Sequence, residues 1–116
     1  MQGFYKMEYT GNLGQGAGSL VFVDGYLAGL DIGGGVYDGQ YQTTPDGVVT
    51  GYADLSFPQG GMLVTGAVIA AGSPPMRIPF SIEGNGVAGQ ILRIQTPTGP
   101  VNLRLTKLSS LGALPK

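Results

Sequence analysis

The chain has 116 residues, of which 42% are hydrophobic and only 11% charged, with a formal net charge of −1. This length predicts one domain spanning residues 1–116, and the hydrophobic content is sufficient for one core, which excludes a chain that is disordered throughout. The net charge is close to zero, and the sequence shows no basic stripe of the kind that nucleic-acid binding requires. We therefore expect no direct contact with nucleic acid.

Short runs of apolar residues, each ended by glycine, proline or aspartate, recur along the chain, and no window of useful length shows helical periodicity. The pairs Asp24-Gly25 and Asp46-Gly47 are typical of tight turns between strands, because both residue types tolerate the backbone angles of such turns. The predicted strands cover residues 3–9, 19–23, 26–32, 36–43, 48–57, 62–70, 77–82, 87–96 and 101–108.

About eight antiparallel strands in sequence predict an all-β fold, an up-and-down barrel with a small interior. Closure also removes the exposed edges on which a weakly charged sheet would aggregate. Strong curvature needs glycine bends inside strands. Five glycines fall within predicted strands and are interpreted as such bends: Gly29, Gly39, Gly51, Gly66 and Gly89.

The hairpin at residues 20–28 is apolar on both faces. One face carries Leu20, Phe22 and Leu27. A strand of an isolated barrel needs only one apolar face, so the second is predicted to be covered by a loop or by a second subunit. We expect the second face to form a dimer interface, and its residues are Val21, Val23, Tyr26 and Ala28.

Two arginines lie on the last two predicted strands. A symmetric hairpin about residues 97–100 places Arg93 opposite Arg104, and it places Leu92 opposite Leu105 on the other face. Like charges directly opposite each other destabilise a strand pair. Relief can come from an acidic side chain on a neighbouring strand, from splaying into water, or from an acidic partner or a bound anion.

Catalysis is not expected from this composition. The sequence contains neither histidine nor cysteine, which removes the commonest general base, thiolate metal sites and disulfides. No phosphate-binding glycine motif followed by a helix is found. A hydrolase built on Asp31 and Asp38, which flank the triple glycine 33–35, is the remaining enzymatic hypothesis. We predict no enzyme activity, no cofactor and no metal site.

The N-terminus lacks a signal peptide, and the longest apolar run is too short to cross a bilayer. The sequence therefore predicts a cytoplasmic protein that does not bind membranes.

A family resemblance begins with the pattern G-x-Y at residues 3–5 and continues with GAGSLVFVDGYLAGLDIGGGVYDGQY over residues 16–41. These segments resemble the GrlR-type negative regulators of bacterial type III secretion. Those proteins share an early G-x-Y strand, a glycine-bounded hairpin, a G-x-D-I step and then Y-x-G. The matching positions are Gly18, Leu20, Gly25, Gly29, Asp31, Ile32, Tyr37 and Gly39.

The resemblance implies a calycin-like eight-stranded barrel with an apolar interior, found as a homodimer. It also implies a non-enzymatic regulator that binds a partner transcriptional activator. In the best-known member, an acidic cluster on a loop after the Y-x-G strand is tied to partner binding, and the only acid of the corresponding TTPDG loop is Asp46. We expect partner binding through Asp46, Arg93 and Arg104. The alternative function is a barrel that binds a small apolar ligand, as a lipocalin-like carrier or sensor.

Overall fold

The computed structural model describes residues 1–83, 89 and 91–113, and this part of the chain is built from ten strands. The strands are β1 (Gly3–Gly11), β2 (Gly14–Val23), β3 (Tyr26–Asp31), β4 (Val36–Thr43), β5 (Val48–Ser56), β6 (Gly61–Met62), β7 (Val68–Ile69), β8 (Met76–Glu83), β9 (Ile91–Thr96) and β10 (Gly99–Ser109).

Eight of these strands form one antiparallel sheet in the order β8-β5-β4-β3-β2-β1-β10-β9. The first long strand, β1, pairs with both β2 and the last strand, β10. The outermost strands β8 and β9 approach each other, although no ladder joins them within the described residues. The sheet is therefore nearly closed into a barrel, which confirms the predicted fold class.

The predicted turns and most predicted strands agree with the structure. Asp24 and Gly25 have φ values of 51° and 85°, as a two-residue hairpin turn requires. The exception is the predicted strand 62–70, which is wrong. There the chain forms a small hairpin of β6 and β7, because Gly66 has a φ of +96° and turns the chain. Residues 87, 88 and 90 of another predicted strand lie outside the described residues.

Three of the five predicted bend glycines lie inside strands, at Gly29, Gly39 and Gly51. A Cβ atom at each would lie 2.0, 2.0 and 2.1 Å from a carbonyl oxygen of the neighbouring strand. Side chains cannot be accommodated there, so these glycines permit the close approach that a small, strongly curved barrel needs. The interpretation of Gly66 and Gly89 as strand bends was wrong, since both lie in turns.

The predicted register of the last hairpin was also wrong. The turn is shorter than expected, and Thr96 pairs with Gly99. The Thr96 hydroxyl donates to the Gly99 carbonyl oxygen at 2.7 Å, which tightens the turn. Arg93 therefore lies opposite Asn102, while Arg104 lies between Ile91 on β9 and Glu8 on β1. Because the shift is two residues, both arginines stay on the outer face.

Replacing Gly39 with alanine should lower the free energy of unfolding by about 2 kcal/mol, because the new methyl group overpacks a backbone contact. Gly14→Ala is the matched control: it also lies in a strand, but its Cβ would meet nothing closer than 3.9 Å. Urea unfolding of both variants measures the difference. Equal stability of the two variants would contradict a role for Gly39 in curvature.

Candidate functional site: a cavity inside the barrel

The two ends of the barrel interior differ. At the end that carries the Asp24-Gly25 turn, three aromatic rings fill the interior. The ring centroids of Tyr5 and Phe22 lie 5.5 Å apart and those of Phe22 and Tyr41 lie 5.3 Å apart. Both pairs have the edge-to-face geometry that aromatic rings prefer. This packed end leaves little room for a ligand.

At the opposite end the chain between β5 and β8 crosses the barrel. This covering segment, residues 57–75, contains the β6–β7 hairpin and packs Leu63 and Ile69 against the core. It is held to the rim of the barrel at two points. The Leu13 amide donates to the Val64 carbonyl oxygen at 2.8 Å, and the hydroxyl oxygens of Thr65 and Thr98 lie 2.9 Å apart.

A cavity of about 220 Å³ lies in the barrel interior under the covering segment. Its wall is mostly apolar, and inward-facing side chains from several strands contribute to it, among them Met7, Leu27, Ala53, Ile78 and Leu103. Some lining residues are exposed, including Gln15, Ile32 and Met62. Their exposure places the mouth of the cavity beside the covering segment.

One part of the cavity wall is polar. The Asp31 side chain is only 5% exposed and lies at the end of β3. Its Oδ1 accepts hydrogen bonds from the amides of Gly33 and Gly35, both at 2.9 Å. Its Oδ2 accepts from the hydroxyls of Tyr9 at 3.1 Å and Tyr37 at 3.2 Å. The four donors satisfy a carboxylate that would otherwise be costly to bury.

Glycines make room for this group, which we call the polar corner (Tyr9, Asp31 and Tyr37). Tyr9 lies on β1 and Asp31 on β3, so Tyr9 must reach across the intervening β2. Gly16 lies opposite Tyr9, and a Cβ there would be 2.5 Å from the Tyr9 hydroxyl oxygen. A Cβ at Gly35 would be 2.6 Å from Asp31 Oδ2. The glycine-rich sequence is therefore required for the polar corner to form.

The two tyrosines of the polar corner remain protonated at neutral pH. Burial, followed by the nearby Asp31 carboxylate, raises the pKa of Tyr9 from 10.0 to about 12. Burial, together with Tyr9 and Asp31, raises the pKa of Tyr37 still further. Both hydroxyls therefore remain able to donate to Asp31 Oδ2.

The structure does not bring Asp31 and Asp38 together. Asp31 is buried in the interior, whereas Asp38 is exposed on the outer face of β4, opposite Ala28 and Asp54. The two carboxyl groups lie on opposite faces of the sheet. The paired-carboxylate hydrolase hypothesis was therefore wrong in its geometry.

The residues predicted for a dimer interface share the outer face of β2 and β3. Val21 lies opposite Ala28, and Val23 lies opposite Tyr26. Val21 and Val23 are partly buried and Ala28 is exposed, while Tyr26 is 60% exposed. The alternation of the sequence predicted this arrangement of side chains.

The residues predicted for partner binding are all exposed but do not form one cluster. Asp46 lies in the turn between β4 and β5, whereas Arg93 and Arg104 lie on β9 and β10. In the sheet, strands β3, β2 and β1 lie between β4 and β10. Arg104 has Glu8 directly opposite on β1, and the Glu8 carboxylate lies 3.6 Å from the Lys6 ammonium.

Tyr9, Tyr37 and the covering segment were not predicted as parts of a site. Alternation with Tyr5 and Met7 places Tyr9 on the inner face of β1. This alternation was the only feature of the sequence that could have indicated Tyr9 as part of an interior site. Nothing in the sequence spacing shows that Tyr9 reaches past β2 to Asp31. Within residues 1–83, 89 and 91–113, no cluster of three or more acidic side chains could hold a metal ion.

The part of the chain that the structure describes contains no helix long and apolar enough to cross a membrane. Comparison of the sequence with models of protein families and with curated proteins gave no match.

Alkaline pH should destabilise the barrel through Tyr9. The folded-state pKa of about 12 lies above the ordinary value of 10.0. The stability that this phenol contributes is therefore complete below pH 10 and is lost as the pH rises through about 12. Urea unfolding in steps across this range should show a smaller alkaline loss for Tyr9→Phe than for the wild type.

Met7→Leu is the control, because it alters the buried wall of the cavity without removing a phenol. This variant should keep the wild-type dependence of stability on pH. If Tyr9→Phe also keeps it, the pKa shift of Tyr9 is not coupled to folding.

Proposed function

We propose that the barrel binds a small, largely apolar molecule in its interior. The observation that carries this proposal is the apolar cavity of about 220 Å³ between the packed end and the covering segment. Eight-stranded barrels have interiors that can hold one small ligand. An apolar cavity of roughly 150 Å³ binds benzene, so by proportion this one suits a molecule of about nine non-hydrogen atoms.

The role that follows is that of a carrier or sensor. Apolar lining supplies affinity through burial of the ligand surface, and a few polar groups supply orientation. The covering segment would exclude water from the bound molecule. No step of this function requires a catalytic group or a cofactor.

Filling the cavity should abolish binding without unfolding the barrel. Ala53 lines the cavity, so Ala53→Leu should weaken the binding of 1-octanol by at least about tenfold, measured by isothermal titration calorimetry. Ala17→Leu adds the same atoms on the outer face of β2, opposite Glu8 and outside the predicted dimer interface, and should bind like the wild type. Native mass spectrometry of the purified protein tests independently for a bound molecule that is released on denaturation.

Equal affinity of both variants, or no detectable binding of any apolar probe by the wild type, would count against ligand binding.

A second function, that of a dimeric regulator resembling the GrlR-type proteins, is favoured by an apolar area on the outside of the barrel. We name this area the outer apolar patch: Phe4, Val21, Val23, Tyr26, Ala28 and Leu30. Phe4 is 38% exposed and Leu30 is 56% exposed, and Phe4 lies opposite Val21. Exposed apolar areas that extend over several strands are typical of protein contacts.

In this proposal the outer apolar patch joins two copies of the chain, and the exposed charges contact a transcriptional activator. Arg93, Arg104 and Asp46 lie outside the patch, so dimerisation would leave them accessible. Binding of a ligand and binding of a partner are compatible, because one uses the interior and the other uses the surface of the barrel.

Introducing charge into the outer apolar patch should give monomers. Val21→Lys combined with Val23→Lys places two ammonium groups in the contact, and their burial without partners is costly. Sedimentation velocity should show a dimer for the wild type and a monomer for this variant. Gln42→Lys combined with Ser81→Lys adds the same charge at exposed positions outside the patch and should remain dimeric. A monomeric wild type, or a dimeric Val21/Val23 variant, would contradict the assignment.

A further inference from the structure

The polar corner offers a ligand a particular set of hydrogen-bonding groups. A carboxylate has about four lone-pair sites, and four donors already occupy those of Asp31: two glycine amides and two tyrosine hydroxyls. Asp31 therefore has little remaining capacity to accept a hydrogen bond directly from a ligand. Its role in recognition is to fix the direction in which the hydroxyl hydrogens of Tyr9 and Tyr37 point.

The hydroxyl hydrogens of Tyr9 and Tyr37 both point to Asp31 Oδ2. Each phenol oxygen keeps lone pairs, so each can still accept a hydrogen bond. The raised pKa values of both tyrosines, caused mainly by burial, keep this arrangement at neutral pH. Within the cavity, the polar corner thus presents acceptors and has no free donor.

The charge of the cavity wall also disfavours a negatively charged ligand. Asp31 is the only ionisable side chain, apart from tyrosine, among the described residues that line it, and no lysine or arginine is among them. Fatty acids and other carboxylates need a cationic or donating group to offset the cost of burying their charge. At the polar corner an incoming carboxylate would meet a second carboxylate and two phenol oxygens whose hydrogens point away. The other side-chain donors of the lining are Gln15, Thr65, Thr96 and Thr98. Gln15 is exposed, and the threonine hydroxyls already bond to each other or to the Gly99 carbonyl oxygen.

We infer that the cavity selects an uncharged apolar molecule with one hydroxyl or N–H donor, which bonds to the phenol oxygen of Tyr9 or Tyr37, and that it rejects carboxylates. This inference rests on the proposed ligand-binding function and adds the chemical class of the ligand. An alkyl alcohol is the simplest member of the class.

The first test compares three probes of similar size on the wild-type protein: 1-octanol, 1-methoxyheptane and octanoate. Isothermal titration calorimetry at a pH of about 7.5 keeps octanoate ionised. We expect 1-octanol to bind about fivefold more tightly than the ether, which lacks a donor. We expect octanoate to bind at least about a hundredfold more weakly than 1-octanol.

The second test uses Asp31→Asn to reverse the direction of the hydrogen bonds between residue 31 and the two tyrosine hydroxyls. The amide oxygen can still accept from Gly33 and Gly35, while the amide nitrogen donates to the phenol oxygens. The tyrosine hydroxyls must then turn their hydrogens toward the cavity. In this variant the ether should bind about as tightly as 1-octanol, and the preference for 1-octanol over octanoate should fall by at least about tenfold.

Asp38→Asn is the matched control, since it removes the same charge on the outer face of the neighbouring strand. It should keep the wild-type order of affinities. Circular dichroism of both variants establishes that they are folded, and the wild-type probe series decides the inference even if Asp31→Asn does not fold.

The outcomes separate the two proposals. If none of the three probes binds, the ligand-binding function itself fails. If probes bind but octanoate or the ether equals 1-octanol on the wild type, the function stands and the donor selectivity is wrong. If a folded Asp31→Asn shows the same order of affinities as Asp38→Asn, the polar corner does not set the selectivity.

Discussion

The buried Asp31 carboxylate is the interaction on which the interior of this barrel depends. It lies at the end of β3 and bonds to Tyr9 of β1, to Tyr37 of β4 and to the amides of the β3–β4 turn. A carboxylate inside an apolar interior is tolerated only when its oxygens are satisfied. This requirement determines which neighbouring positions must be glycine. Tyr9 can reach Asp31 only across two inward positions of β2, which are Gly16 and Gly18.

The polar corner lies at the end of the interior that is not filled by aromatic rings. Large aromatic rings pack together at the end that lies away from Asp31. Near Asp31, the inward positions Gly16 and Gly35 have no side chain, and the Tyr9 and Asp31 side chains occupy the space there. The cavity lies beside this polar corner, and Gly16 and Gly33 form part of its wall. The covering segment encloses the cavity from outside.

Much of the fold was predictable from the sequence because local chemistry determines it. Asp24-Gly25 ends one strand and begins the next wherever the hairpin lies in the molecule, and alternation assigns Val21 and Phe22 to opposite faces. The strand predicted at 62–70 failed because apolar, β-branched residues favour a strand, while the positive φ of a single glycine turns the chain. The register of Arg93 failed because the turn consists of residues 97 and 98 in place of the predicted 97–100, and the Thr96 hydroxyl bonds to the Gly99 carbonyl oxygen across it.

The candidate site was less predictable, because it depends on distances between residues that are far apart in the chain. Asp31 was identified in the sequence, but its neighbour Asp38 suggested a pair that the sheet separates. Tyr9 and Tyr37 join Asp31 only because three strands curve around a common interior. Neither the spacing nor the composition of the chain reports the amount of space that remains there.

The pairing of β1 with β10 has a consequence for how the chain folds. Phe4 lies opposite Ser109 and Tyr5 lies opposite Lys107, so the ladder that closes this part of the barrel joins residues from the two ends of the chain. Contacts of such high sequence separation form late, since the entropy of closing the intervening loop is lost before they contribute any stability. During synthesis β2 to β5 can form hairpins as they emerge, but β1 keeps one unpaired edge until the last strand is made. Folding on the slow timescale of all-β proteins, from about milliseconds to seconds, is therefore expected.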